Sequence, residues 1–445
     1  MRRLDVPMSP RVESSGADRS ATRQTEADSN MPALGIVADD LTGTMDTASE
    51  VATRGYETVV ITTPDASLPD AAVVAINTNS RYLPSDDAAD AVRSSVDALG
   101  ASTVYKKIDS TLRGNVGSEV AAAMGATEVD LAVVAPAFPA TGRQTWKGVH
   151  RIGGTPVAET EFAADRNGPP TSDVTALFAE QNLPAEHVDG TDVAEGVDRI
   201  ADRFNTAVER HDRPPIVVCD ARTAAHLDAI AAAGARFNAL FVGSGGLAAH
   251  LRLDISPDAS QATPQPESGT PLAVVGSVSE TTLEQLDHVP DAWLLHLDPL
   301  CMLDGTPDKA AEVADRLERG VPTVVTAASE RSTVEATLSK GRDRGLSDPE
   351  IRDRIATGLA TVAGEACRIT HPSGLFFTGG DVAMAGLRAL ETTTISLTGT
   401  TVDAGIPVGR LIDGVAPGMP LITKAGGFGG QTSIINCLDV LGGVQ

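Results

Sequence analysis

Short runs of β-branched and other apolar residues alternate with alanine-rich amphipathic segments along most of this sequence. Apolar runs of about four to eight residues are typical of parallel strands buried on both faces, and the segments between them have helical spacing. The predicted strands are residues 34–38, 58–62, 72–77, 104–108, 131–135, 216–220, 240–243, 272–275, 293–297, 323–326, 374–378 and 421–424. Repeated strand–helix units build open sheets covered by helices on both faces. The sequence therefore predicts the α/β class.

A stretch without periodicity divides the sequence into two predicted domains. Residues 254–270 are rich in Ser, Pro, Gln and Asp, a composition typical of a linker. A chain of 445 residues is also too long for one ordinary hydrophobic core. We therefore expect two open, mostly parallel α/β domains, residues 31–253 and 271–445, joined by a hinge. The active site is expected in the cleft between them, where ligand sites commonly lie.

The amino-terminal segment and the cysteines indicate where such a chain works. Residues 1–30 are polar and aperiodic, which predicts a disordered tail, and Met31 is a candidate for the true start. No apolar run reaches the roughly 18–20 residues of a membrane span, and Arg2 and Arg3 precede no apolar signal segment. The four cysteines form no CxxC pair. We expect a cytoplasmic protein.

The charge balance limits the class of ligand. The chain has 35 Lys and Arg against 60 Asp and Glu, a formal net charge of -25. Such a surface repels nucleic acid and anionic lipid, so we expect neither partner. The excess of carboxylates is also typical of a halophilic protein. An anionic substrate would have to be held against this field, which makes basic residues among Gly, Ser and Thr informative.

Charged residues follow predicted strands of the first domain. Asp39 and Asp40 come directly after the first strand, and Arg81 follows the third. A concentrated basic and hydroxyl-bearing run ends the fourth strand and contains Lys106, Lys107, Ile108, Asp109, Ser110, Thr111 and Arg113. Ligands of open α/β sheets bind at the carboxyl ends of the strands. We therefore expect these residues to bind a carboxylate or phosphate.

Other patterns in this domain carry less weight. A Pro- and Gly-rich loop at residues 136–143 ends in Arg143, and Glu159, Glu161 and Asp165 are interpreted as solvated surface without a metal. Residues 243–248 formally match the dinucleotide fingerprint G-x-G-x-x-A, but the ribose-binding acid expected about 20 residues later would fall in the linker. A tight strand-to-helix turn is the favoured interpretation.

Three glycine-rich turns follow predicted strands of the second domain. Glycine allows the backbone to approach a phosphate, and a following helix presents free N–H groups to an anion. The turns contain Ser277, Gly379, Gly380, Asp381, Val382, Lys424, Gly426 and Gly427. Neither a P-loop nor a protein-kinase signature occurs in the sequence. The three turns together indicate a nucleotide site of another type.

These motifs together resemble the four-carbon acid sugar kinase family, formerly grouped as a domain of unknown function. The resemblance covers residue 34 to the carboxyl terminus, and the run at residues 106–115 is its most specific part. It implies an amino-terminal sugar-acid-binding domain, a carboxyl-terminal nucleotide-binding domain, and phosphorylation of threonate, erythronate or 3-oxo-tetronate by ATP. It also implies that the substrate is held by Asp40, Arg81 and residues 107–110, and ATP by Ser277, residues 379–382 and Gly426.

Four residues depart from the pattern that the family usually shows. Asn77 and Asn79 stand where the family has aspartates, and Asp381 and Val382 stand where it has Glu and Thr. Fewer carboxylates near the sugar would change the selection of hydroxyl groups. The reaction class implied by the resemblance does not depend on these positions.

Phosphoryl transfer needs alignment, charge neutralisation, Mg²⁺ and a group that accepts the hydroxyl proton. Asp40 and Asp109 are the candidates for that base, with Asp39 behind them. Lys107, together with Arg81 and Arg113, would neutralise the substrate carboxylate or the transferred phosphoryl group.

Two alternatives remain open from the residues alone. One is a nucleotide-dependent dehydrogenase of a small hydroxy acid, built on the turn at residue 243. The other is a non-catalytic sugar-acid-binding sensor. For the kinase, we expect ATP and a sugar acid as ligands, with a homodimer as an open option.

Overall fold

The computed structural model describes residues 31–257 and 269–443. The disordered tail predicted at residues 1–30 and most of the linker predicted at residues 254–270 lie outside this part of the chain. Among the residues described, no helix has the length and apolar character needed to cross a bilayer.

The first half, residues 31–253, contains most of the predicted strands within one or two residues of their expected ends. Its strands are β1 (Leu34–Ala38), β2 (Thr58–Ile61), β3 (Val73–Asn77), β4 (Thr103–Lys107), β5 (Leu131–Ala135), β6 (Arg143–Trp146), β7 (Val149–Ile152), β8 (Thr155–Pro156), β9 (Ala185–Val188), β10 (Ile216–Cys219) and β11 (Ala239–Gly243). Its helices are α1 (Leu41–Ala52), α2 (Ser85–Leu99), α3 (Val116–Gly125), α4 (Gly190–Ala194), α5 (Val197–Arg210), α6 (Ala224–Gly234) and α7 (Gly245–Ala248). Short 3₁₀ segments lie at Pro139–Thr141, Val157–Glu159, Glu161–Ala164 and Thr175–Gln181.

The second half, from residue 271 onward, repeats the alternation of strands and helices. Its strands are β12 (Leu272–Val275), β13 (Leu294–His296), β14 (Thr323–Thr326), β15 (Leu375–Thr378), β16 (Thr394–Asp403), β17 (Ile406–Leu411) and β18 (Pro420–Lys424). Its helices are α8 (Glu280–Leu286), α9 (Pro299–Asp304), α10 (Ala310–Glu318), α11 (Arg331–Asp343), α12 (Asp348–Ile369), α13 (Gly380–Ala389) and α14 (Ser433–Gly442).

Fifteen of these strands form one sheet, in the order β13-β14-β12-β15-β18-β17-β16-β2-β3-β1-β4-β11-β5-β10-β9. The strand pairs are parallel except for β2–β16, β16–β17 and β17–β18. Strands β6, β7 and β8 form a separate antiparallel sheet. The mostly parallel α/β architecture expected from the sequence is confirmed.

The two halves are joined by hydrogen bonds between β2 and β16. Thr394 pairs with Ile61 and Ser396 pairs with Val59, so the β16–β17 hairpin of the second half continues the sheet of the first. The sequence does not predict this connection, because β16 mixes threonines with apolar residues and contains Gly399 at a φ of 70°. Its half-buried, bulged strand therefore lacks the continuous apolar run of the parallel strands.

Six strands of the first half are buried on both faces: β1, β2, β3, β5, β10 and β11. Leu34 and Ile36 of β1 belong to one hydrophobic core, and Val37 belongs to the core on the other side of the sheet. The first of these cores extends into the second half, where it includes Leu397 of β16. Side chains that point alternately to two apolar layers explain why the strands are continuous apolar runs.

Candidate active site

Arg81 is the centre of a buried charge cluster at the carboxyl ends of β3, β1 and β4, which lie side by side. Its Nε donates to Asp39 Oδ2 at 2.7 Å, and its Nη2 donates to Asp39 Oδ1 at 3.0 Å and to Asp40 Oδ1 at 2.7 Å. Nη2 also lies 3.3 Å from Asp109 Oδ1. The guanidinium group is therefore held by three carboxylates of the protein itself through Nε and Nη2.

Asp109 is held by a second arginine. Arg113 donates from Nε to Oδ2 at 2.8 Å and from Nη2 to Oδ1 at 3.1 Å, and the Thr111 hydroxyl also donates to Oδ2. Burial alone would raise the pKa of Asp109, but the charges of Arg113 and Arg81 outweigh it and hold this pKa well below its usual range. Burial likewise raises the pKa of Asp39, and the charge of Arg81 lowers it. The net result is a lowered pKa. Both carboxylates are ionised and bind protons weakly.

Asp40 caps the amino terminus of α1. Its Oδ1 accepts from the Gly43 backbone N–H at 3.1 Å, and its Oδ2 accepts from the Thr42 hydroxyl at 2.7 Å. A Cβ atom on Gly43 would lie 2.7 Å from Lys107 Nζ, so glycine is needed where the helix start approaches this lysine. The capping interaction fixes the position of α1 relative to the charge cluster.

The two lysines at the end of β4 have different environments because neighbouring side chains of a strand point to opposite faces. Lys106 is fully buried and pairs with Glu119 at 2.9 Å. Lys107 faces a cavity, and its Nζ has neither a hydrogen bond nor an ion pair within residues 31–257 and 269–443. Lys107 is therefore a cation available to an anionic ligand.

One polar cavity of about 200 Å³ lies between the two halves. Its wall includes these residues expected from the sequence: Asp40, Arg81, Lys107, Asp109, Ser110, Arg113, Ser277, Gly426 and Gly427. Two expected substrate residues lie behind this wall: Asp39 is covered by Arg81, and the Ile108 side chain belongs to the hydrophobic core. Asn77 and Asn79 form a turn, in which the Asn77 amide oxygen accepts from the Asn79 backbone N–H at 3.0 Å.

Several residues of the polar cavity were not predicted from the sequence: Asp46, Phe162 and Phe428. Arg143, which ends the Pro- and Gly-rich loop noted in the sequence, also lines the cavity, and its guanidinium lies 5.3 Å from the centre of the Phe428 ring. The guanidinium group of Arg113 similarly lies 5.3 Å from the centre of the Phe162 ring. Aromatic residues make up only 3% of the chain, so a phenylalanine inside a glycine-rich or acidic loop was an available signal.

Glycine-rich turns of the second half form the opposite wall. Strands β12, β15 and β18 are parallel neighbours, so the turns that follow them meet. A Cβ on Gly426 would overlap the Ser277 hydroxyl, and Gly379 has a φ of 98° with the Ser277 backbone nitrogen 3.1 Å from where its Cβ would be. Both positions therefore require glycine.

Lys424 holds this wall from inside the protein. Its Nζ donates to the carbonyl oxygens of Ala425, Gly426 and Phe428, each at 3.3 Å, and to the Thr282 hydroxyl at 3.2 Å. Burial lowers the pKa of Lys424 to about 8. This lysine was expected to belong to the nucleotide cradle, and the structure shows that it orders the loop from behind.

A larger, apolar cavity of about 360 Å³ adjoins the polar one and is lined mainly by aliphatic side chains. The aliphatic part includes Val275, Val334, Leu338, Ile355, Leu359 and Val382, and the remaining wall includes Gly379, Gly380 and Asp381. Burial raises the pKa of Asp381. Ser277 and Ser279 line both cavities, so an elongated ligand in the apolar cavity would reach the polar one.

The glycine turn after β11 is closed by packing. Tyr105 Oη donates to the Ser244 carbonyl at 2.5 Å, and the Ser244 hydroxyl donates to the Pro136 carbonyl at 2.9 Å. A Cβ on Gly246 would overlap the Ala137 carbonyl oxygen. The turn therefore serves the packing of β11 against a neighbouring loop, as the sequence analysis favoured.

Comparisons with known proteins cover both halves of the chain. Residues 34–251 match a family model described as a sugar-binding N-terminal domain, and residues 272–434 match one described as a nucleotide-binding C-terminal domain. A D-threonate kinase of Bordetella bronchiseptica is 36% identical over 92% of this chain and 98% of its own length. A D-threonate kinase of Salmonella typhimurium is 33% identical over 91% of this chain and 97% of its own length.

Relatives named for other four-carbon acids match this chain over nearly the same length. A D-erythronate kinase of Heliobacterium modesticaldum is 31% identical over 91% of this chain and 96% of its own length. A 3-oxo-tetronate kinase of Methylobacterium radiotolerans is 29% identical over 92% and 99%, respectively. A solved structure from Salmonella typhimurium, 22% identical, has the same fold over 91% of this chain and 98% of its own, with a TM-score of 0.75.

Proposed function

This chain belongs to the four-carbon acid sugar kinase family, and on that premise we propose that its preferred acceptor is D-threonate. Its reaction is the ATP-dependent phosphorylation of a hydroxyl group of a four-carbon sugar acid. The relatives give no support to the dehydrogenase or to the non-catalytic sensor. D-Threonate is favoured because three relatives with that name are 33%, 34% and 36% identical, compared with 31% for the erythronate kinase and 29% for the 3-oxo-tetronate kinase.

The sugar acid is assigned to the polar cavity, with Lys107 as the residue that neutralises its carboxylate. Lys107 lines the cavity with its charge unpaired among the residues described, whereas Arg81 is already surrounded by carboxylates. Ser110 and Asp40 also line the cavity and can hydrogen-bond to hydroxyl groups of the substrate. The first half is in this way the sugar-acid-binding domain.

ATP is assigned to the second half, with its base in the apolar cavity. Its phosphates would lie against Ser277, the Gly426 turn and the amino terminus of α13, which begins at Gly380 after Gly379. Free backbone N–H groups at a helix start favour phosphate. The observation that carries the proposal is the junction of the two cavities at Ser277 and Ser279, because it brings the γ-phosphate to the acid.

Mg²⁺ is proposed as the ion that ATP brings with it. Within the part of the chain that the structure describes, no group of three or more His, Cys, Asp or Glu side chains could hold a metal. Mg²⁺ in kinases is commonly bound by substrate phosphates and only one or two carboxylates, so this absence fits. The ion would supply neutralisation of charge on the phosphates. The cytoplasmic location, the salt adaptation and the homodimer stay predictions.

A panel of acids tests the substrate. Purified protein is incubated with ATP, Mg²⁺ and, separately, D-threonate, L-threonate, D-erythronate and a 3-oxo-tetronate, and ADP is measured together with the phosphorus NMR spectrum of the product. We expect ADP and a phosphate monoester in equal amounts, with the highest kcat/KM for D-threonate. A higher kcat/KM for another four-carbon acid would contradict the choice of D-threonate, and no ADP with any of them would contradict the kinase itself.

A further inference from the structure

Asp46 lies in the second turn of α1 and lines the polar cavity. The residue is only 5% exposed. Its Oδ1 atom is buried and has no hydrogen-bond partner among the described residues. Burial of a carboxylate oxygen without a hydrogen-bond donor costs free energy, unless a ligand donates a hydrogen bond to it or it takes up a proton. Because the Asp46 residue lines the cavity, a ligand bound there is the candidate partner for its carboxylate.

The carboxylates predicted as the base are less suited to that role. Both oxygens of Asp109 accept from Arg113, and one of them also accepts from Thr111. Asp40 accepts from Arg81 and Gly43 at one oxygen and from Thr42 at the other. In both carboxylates these donors occupy the lone pairs with which the group would accept a proton from the substrate. Asp46 lacks these donors at Oδ1.

One glycine from each half of the chain lies close to the Asp46 carboxylate. A Cβ on Gly405, in the turn between β16 and β17, would lie 3.1 Å from Oδ1, and a Cβ on Gly245, at the start of α7, would lie 3.2 Å from Oδ2. Gly405 belongs to the second half of the chain, and Gly245 belongs to the first half. The carboxylate is therefore confined to a narrow slot where the halves meet, next to the cavity that both of them line.

Burial is the main cause that raises the pKa of Asp46, to about 6. Lys107 from β4 and Arg143 from β6 act against burial, and Asp40 adds to it. Two further titratable groups face Asp46: Glu50, one turn later on α1, and Tyr105 on β4. A base acts best when its pKa is close to the working pH, and Asp46 meets this condition better than Asp109 does.

We propose that Asp46 is the catalytic base of the phosphoryl transfer, because it lines the cavity in which the acid and the γ-phosphate meet and its carboxylate has an oxygen without a hydrogen-bond partner among the described residues. The reacting hydroxyl gives its proton to Asp46 as its oxygen forms a bond to the γ-phosphorus. The bond from that phosphorus to the β,γ-bridging oxygen breaks, and ADP leaves with the electron pair. Asp46 returns the proton to solvent after the products leave. This inference deepens the proposed function and depends on it.

Asp46→Asn tests the inference, because asparagine keeps the shape of the side chain and loses the basic oxygen. We expect kcat to fall by about 10² to 10⁴ with D-threonate, while KM for both substrates stays within about threefold. Glu50→Gln is the matched control, since Glu50 is the next carboxylate on α1 and is not among the residues that line the polar cavity. Its kcat should stay within about threefold of the wild type.

The pH profile separates a base from a merely structural residue. The wild-type kcat/KM should rise with pH through an apparent pKa near 6 and then level off, because the base acts when ionised. The remaining activity of Asp46→Asn should lack this rise, and Glu50→Gln should keep it. If Asp46→Asn does not fold, Asp46→Ser takes its place with the same expected results.

Retention of kcat within about tenfold of the wild type in a folded Asp46 variant would overturn the inference, and so would an unchanged rise of kcat/KM near pH 6. Failure of the proposed function gives a different result. In that case the wild type itself produces no ADP with any four-carbon acid.

Discussion

The two walls of the polar cavity are ordered by different kinds of interaction. The wall from the first half is a buried charge network, in which Arg81 holds three carboxylates and Arg113 holds Asp109. The wall from the second half is backbone, held from behind by Lys424 and by Gln285, which donates to the Gly430 carbonyl at 2.8 Å. Substitutions in the first wall should therefore act through charge, whereas substitutions in the second should act through shape.

Among the substitutions that compare the two walls, the largest effect is expected in the backbone wall, for Gly426→Val. The new side chain would overlap the Ser277 hydroxyl, and the position of its Cβ is 3.0 Å from the Ser279 hydroxyl. Displacement of this turn by about 1 Å should lower kcat/KM for ATP on the order of a hundredfold or more. Steady-state kinetics with varied ATP measures the loss.

Gly430→Ala is the control for this substitution, because a Cβ on Gly430 would meet nothing within 4 Å. Its kcat/KM for ATP should be close to that of the wild type. Equal activity of Gly426→Val and Gly430→Ala would show that the shape of this wall does not position the nucleotide.

The protein should lose stability when Arg81, the centre of the charge network in the first wall, is replaced. Arg81→Ala leaves the buried Asp39 and the half-buried Asp40 without the cation between them, which costs about 3–5 kcal/mol in the free energy of unfolding. The ion pairs therefore add an effect on stability to the substrate-binding role expected for Arg81. Chemical denaturation measures the difference, with Arg93→Ala as a surface control, since Arg93 is 50% exposed and pairs with Asp90. A surface pair contributes about 1 kcal/mol at most.

If Arg81→Ala were as stable as Arg93→Ala, the buried network would not order the first wall. A raised KM for D-threonate at unchanged stability would instead favour the substrate-binding role alone, as expected from the sequence.

Lys107→Met should change substrate binding instead of stability. Methionine replaces most of the buried stem of the lysine, and the charge it removes has no partner among residues 31–257 and 269–443. The loss of a charged hydrogen bond costs about 1.5–3 kcal/mol, so KM for D-threonate should rise about tenfold to a hundredfold. An unchanged KM for the acid would remove Lys107 from the proposed site.

The smallest effect is expected for Asp109→Asn, on the order of 1 kcal/mol in stability, because charge-assisted hydrogen bonds become neutral ones. The folded-state pKa of Asp109 is lowered, so its contribution is present above its unfolded pKa of about 3.9 and is lost as the pH falls through the folded value. Denaturation at several pH values should show the variant approaching the wild type in acid. A difference that is constant with pH would contradict the charge network.

The sequence predicted the strand edges well because their cause is local. An apolar run that ends in charged residues or glycine marks the carboxyl end of a buried parallel strand, and Arg81, Lys107 and Gly426 were found in this way. What the sequence could not provide is the partner of each charge. Arg81 was expected to bind substrate, and only the structure shows the three carboxylates around it.

Asp46 was missed for a related reason. Inside the helix-forming segment after Asp40 it is one polar residue among several. Its burial in the structure depends on contacts with distant parts of the chain, among them Gly245 and Gly405. Contacts separated by so many residues leave no local pattern. The β2–β16 pairing that joins the halves was missed because a half-buried strand rich in threonine has no such apolar run.

The central claim is that each wall binds its own substrate, and calorimetry on the full chain tests it most directly. D-Threonate and a non-hydrolysable ATP analogue are titrated separately into the wild type, Lys107→Met and Gly426→Val. We expect Lys107→Met to lose at least about tenfold in affinity for the acid and to keep its affinity for the nucleotide. Gly426→Val should show the reverse. Loss of nucleotide affinity in Lys107→Met, or loss of acid affinity alone in Gly426→Val, would contradict this division.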